Sequence, residues 1–64
     1  MATSIEFRAA QKAALFDLSM LKQDNDQAGI KIIGLERLIA KTKAAMLEED
    51  IAMVEKEIEQ LANI

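Results

Sequence analysis

Cysteine, histidine, proline, tryptophan and tyrosine are all absent from this chain, and glycine occurs only twice. Without cysteine there is no disulfide, and without cysteine and histidine the usual ligands of a structural zinc are missing, so two common staples of small domains are excluded. Oligomerisation is the staple that remains. The same absences strip the chain of the commonest general acids, bases and nucleophiles: only carboxylates and lysines are left, and the hydroxyls Thr3, Ser4, Ser19 and Thr42 have no evident activating partner. No enzyme is expected. Gly29 and Gly34 alone do not make a phosphate-binding loop.

Long apolar runs are also missing. The most apolar stretch, residues 30–40, is interrupted by Lys31, Glu36 and Arg37 and falls well short of the roughly 20 residues that cross a bilayer. The first residues carry no basic segment leading into an apolar run, so no signal peptide is expected and a cytoplasmic location is. The acidic run Glu48-Glu49-Asp50 has neither the Glu-x-x-His pairs of a di-iron bundle nor the glycine-centred spacing of a calcium loop. It reads as a solvated face, and no metal or cofactor is expected.

What is present suits helices. Apolar residues make up 52% of the 64, mostly Ala, Ile, Leu and Met, while aromatics make up 3%. Thr3-x-x-Glu6 has the form of a capping box, which starts a first helix near Ser4. This helix is expected over about 4–22. The run Lys22-Gln23-Asp24-Asn25-Asp26 brings three Asx residues that compete for backbone hydrogen bonds, giving a turn at 23–26. From Leu35 to Ala62 there is no Gly, Pro or Asn, so a second helix over about 27–62 is the simplest reading. At 1.5 Å per residue it would be roughly 55 Å long against roughly 30 Å for the first.

The last segment carries an apolar seam, Ala44, Leu47, Ile51, Val54, Ile58 and Leu61, at alternating spacings of three and four. A second seam, Ala28, Ile32, Leu35, Ile39, Thr42 and Met46, lies roughly 120° around the helix. The first helix is doubled in the same way, with Ile5, Ala9, Ala13, Phe16 and Met20 on one stripe and Phe7, Ala10, Ala14, Leu18 and Leu21 on another. Two architectures supply every stripe with a neighbour. One is an all-α hairpin with a long second helix, pairing antiparallel with a second copy as a dimeric four-helix bundle. The alternative breaks the second helix near 41–43, where the seam changes phase, and gives a monomeric three-helix bundle.

Charge is partitioned. Lys31, Arg37, Lys41 and Lys43 face only Glu36 in the middle, while six acids face only Lys56 towards the end. In an antiparallel dimer crossing near Ala45, Lys31 would oppose Glu59 and Lys41 would oppose Glu49 of the mate. At net −3 the chain lacks the basic face that phosphate binding requires, which disfavours an RNA- or DNA-binding helical regulator, the second functional reading. The first is a small acidic protein-protein interaction module, an adaptor, inhibitor or assembly component with a protein target.

Overall fold

A computed structural model describes residues 4–62, which form three helices: α1 (Ile5–Gln27), α2 (Ile33–Ala44) and α3 (Glu48–Ala62). There is no strand among the described residues. Ser4 caps α1, its Oγ accepting the Phe7 amide at 3.0 Å in place of an intrahelical partner. The box residue Thr3 lies outside the described residues.

α1 runs five residues past its expected end. Asp24, Asn25 and Asp26 sit in its last turns, where Asp26 accepts from Lys22 Nζ at 3.0 Å one turn away. The helix stops at a Schellman motif: the Ile30 amide bonds the Asn25 carbonyl at 2.8 Å and the Gly29 amide bonds the Asp26 carbonyl at 3.1 Å. Gly29 holds φ at +76°, the left-handed conformation that this motif requires and that side chains with a Cβ resist. The expected turn at 23–26 is therefore corrected to residues 28–32. Gly29 ends the first helix and does not open the second.

The second helix is interrupted, not continuous over 27–62. The break falls at Ala45-Met46-Leu47, a few residues beyond the 41–43 expected for the alternative. Ala45 and Met46 donate to the Thr42 and Lys43 carbonyls at 3.2 and 3.0 Å, the tight i to i−3 bonds of a closing turn. The Asp50 and Ile51 amides then bond the Leu47 carbonyl and start α3. No helix-breaking residue is needed, because the two seams point 120° apart and one straight helix would turn only one of them towards α1. Burying an aliphatic side chain is worth about 1.5–3 kcal/mol as an upper estimate, whereas an exchanged backbone hydrogen bond is worth only about 0.5–1.5. Returning Ile51, Val54 and Ile58 to the chain's own core outweighs the broken turn.

α2 runs back along α1, with Gln11 Nε2 donating to the Ala45 carbonyl at 3.0 Å, and α3 runs forward again. Both pack on α1 and meet each other only slightly. The core is small: Leu15 of α1, Leu35 and Ile39 of α2 and Val54 of α3, flanked by Phe16, Leu18, Met46, Ile51 and Ile58. The shortest dimension across the Cα atoms, 16 Å, admits two helix layers at the usual 8–10 Å spacing and no more. Every helix keeps a side to solvent.

Candidate interaction surfaces

One buried polar side chain among the described residues ties α3 to α1. Asp50, in the first turn of α3, is fully buried. The Arg8 guanidinium grips it in a fork, Nε to Oδ2 at 2.9 Å and Nη2 to Oδ1 at 2.8 Å, and Nη2 reaches Glu49 Oε1 at 3.1 Å. These hydrogen bonds, opposed by burial and helped by the charges of Arg8 and Lys12, hold the Asp50 carboxyl below the usual carboxylate range. Every buried polar side-chain atom of the described residues has a partner. No group of three or more acids, histidines or cysteines that could hold a metal occurs among the described residues.

Sequence reasoning left Glu48-Glu49-Asp50 on a solvated face, and Asp50 corrects that. The pattern nonetheless contained a signal. Lys41 and Lys43 in the last turn of α2, followed by three acids in the first turn of α3, are the signs that complement two helix ends. Arg8 gave a weaker signal. It lies with Gln11, Leu15 and Lys22 on a stripe beside Leu18 of the second apolar stripe, and this mixed stripe is the one that α1 turns inward.

The C-terminal seam faces its own chain. Val54 is buried, Ile51 and Ile58 are half-buried against the core, and Leu47 and Leu61 at the two ends are exposed; Ala44 falls on α2 and is exposed. Lys31, Lys41 and Glu59 are exposed as well. Glu49 is engaged by Arg8 of the same chain. The crossing near Ala45 that set the expected Lys31–Glu59 and Lys41–Glu49 pairs presumed an unbroken helix, which the turn at 45–47 removes.

Two surfaces of the described residues combine exposed apolar side chains with a helical face. Between α1 and α3 lies a shallow cleft of about 650 Å³, lined by the apolar Phe16, Met53 and Val54 and by charges of both signs, Lys12, Asp17, Lys56 and Glu57. The other surface is the side of the α1–α2 pair turned away from α3. On α1, Phe7, Ala10, Ala14 and Leu21 follow the spacing three, four, seven and lie on the opposite edge of the buried stripe from Lys12 and Phe16, which line the cleft with α3. On α2, Leu38 lies on the opposite edge from Lys43, whose Nζ pairs with Glu55 of α3 at 3.3 Å. Phe7, Leu21 and Leu38 are 56%, 50% and 49% exposed.

No helix among the described residues is long and apolar enough to cross a membrane. Comparison with known proteins returns no matching family model, no matching curated protein and no matching solved structure.

Proposed function

We propose that this chain is a non-enzymatic protein-protein interaction module that works through its helical faces, as an adaptor, inhibitor or assembly component, and that it associates as a homodimer. The observation that carries this reading is the imbalance of its apolar residues. Four aliphatic side chains are buried, whereas ten large apolar side chains of the described residues are exposed, among them Phe7, Leu21, Ile33, Leu38 and Met53. Single exposed leucines are ordinary, but a group of them on one helical face marks a surface that binds.

Photo-crosslinking side chains placed at Leu38, at Met53 and, as a control, at Glu59 test the reading in cells that express the chain. Discrete cross-linked products from Leu38 or Met53, with none from Glu59, are the expected result. A smear without discrete bands from all three positions would contradict it.

A further inference from the structure

We propose that the α1–α2 face turned away from α3 is covered by the same face of a second copy, related by a twofold axis that runs along the helices. The proposal rests on the reading of the chain as an interaction module and names the occupant of one of its faces. Three observations support it.

The first is area. The chain exposes 4976 Å² of surface. A compact folded monomer of 7.1 kDa exposes about 4,100 Å². The excess, about 900 Å², belongs to the chain as a whole, and the exposed side chains of the α1–α2 face, Phe7, Leu21 and Leu38, contribute to it.

The second is the shape of the face. Ala10 and Ala14 in its centre let another helix approach closely, while Phe7, Leu21 and Leu38 around them supply apolar area. A two-helix layer laid on its own image makes a four-helix arrangement with all these side chains inside.

The third is charge, and it selects the axis. The outer rim of the face on α1 is acidic, with Asp24 and with Asp17, which stands on the ridge shared with the α1–α3 cleft; the outer rim on α2 is basic, with Arg37 and Lys41, and Lys31 just before it. None of these five makes an ion pair among the described residues. A twofold axis along the helices lays α1 over the mate's α2 in antiparallel fashion and brings acidic rims onto basic rims. An axis across the helices lays α1 over α1, acid on acid, which disfavours it. The Gln11–Ala45 hydrogen bond sets the level of the two antiparallel helices. With equal rise along both, Asp17 falls between Arg37 and Lys41 of the mate, and Asp24 between its Lys31 and Arg37. The rims therefore match in sign and in position along the axis.

The test is a charge swap on exposed positions. One variant carries Asp17→Lys and Asp24→Lys, the other Arg37→Glu and Lys41→Glu, and helicity by circular dichroism confirms that each folds. Each alone is expected to self-associate at least roughly tenfold more weakly than the wild type at low salt, and an equimolar mixture of the two is expected to form a heterodimer near wild-type strength. Variants that self-associate like the wild type, or a mixture that stays monomeric, would overturn the proposal. Isotope-filtered nuclear Overhauser contacts in mixed-label wild-type samples give an independent reading: contacts from Leu21 or Ala14 of one chain to Leu38 of the other are expected, and contacts joining α1 to α1, or routed through Met53, would overturn it. A wild type that is monomeric at every concentration, yet gives discrete cross-links to another protein, would reject the second copy and keep the interaction module. Absence of both would reject the two together.

Discussion

Arg8 and Asp50, 42 residues apart in sequence, form a forked ion pair with both bonds under 3.0 Å, and the carboxylate is sealed from water. The pair joins the first turns of α1 and α3, so it holds in register the two helices that share no turn. Breaking one side of such a pair leaves the other charge buried and unsatisfied. Arg8→Ala is expected to lower the thermal midpoint by roughly 10 °C or more. Arg8→Lys should recover little of that loss, because an ammonium cannot reproduce the two-toothed contact. A midpoint within about 2 °C of the wild type for Arg8→Ala would contradict the role given to the pair.

The same pair sets a pH dependence. The carboxyl of Asp50 titrates lower in the folded chain than its ordinary value, first because of the hydrogen bonds from Arg8. Its contribution to stability is complete above the ordinary carboxylate range near pH 4 and is lost as pH falls through the depressed folded value. Urea unfolding followed from pH 6 down to pH 2 should show stability falling over that acid window. In Asp50→Asn the fall should be shallower, since the charge that titrates is gone.

Leu15 is the one core side chain of α1 that is wholly enclosed, and it sits where α2 and α3 both meet α1. Leu15→Ala is expected to cost about 2–5 kcal/mol. A chain of 64 residues has only about 3–10 kcal/mol to lose. The variant should therefore be largely unfolded or barely stable at 25 °C, as measured by far-ultraviolet circular dichroism against urea.

Gly29→Ala tests the end of α1. A Cβ at this position meets nothing within 4 Å, so any loss comes from the positive φ alone. A destabilisation of about 1–2 kcal/mol is expected. A neutral substitution would mean that α1 does not close with the Schellman turn.

The helical class, the start of α1 near Ser4 and the apolar seams that hold Leu35, Ile39, Ile51, Val54 and Ile58 were legible in the sequence, because spacing along a helix is a local property; that the last three turn to the chain's own core followed only from the three-helix alternative. Two boundaries were not. The Asx cluster at 24–26 suggested a turn, but Lys22 and the Gly29 terminator keep those residues helical until the last turn. The turn at 45–47 contains no breaker, and only the phase shift between the seams and the change of charge sign across 43–48 announce it. Those charges were open to two readings, a register between two chains or a solvated face, and in the structure they lie at the end of α2 and the start of α3. The pairing of Arg8 with Asp50 was illegible for a different reason. The two lie 42 residues apart, and no periodicity links an arginine on one helix to an aspartate on another.

The break itself is visible to hydrogen exchange. The Glu48 and Glu49 amides open α3 and have no intrahelical partner, whereas in one continuous helix both would be bonded. They are expected to exchange far faster than the amides of Val54 to Ile58. Equal protection from Lys41 through Ile58 would restore the long second helix.

In the proposed dimer the open apolar surface of this small chain is covered by its own copy. Absolute molar mass by light scattering, from about 1 µM to several hundred µM, tests it most directly. The mass is expected to rise from one chain, 7.1 kDa, to two as concentration increases, and to level off there. A mass that stays at one chain throughout would contradict the claim.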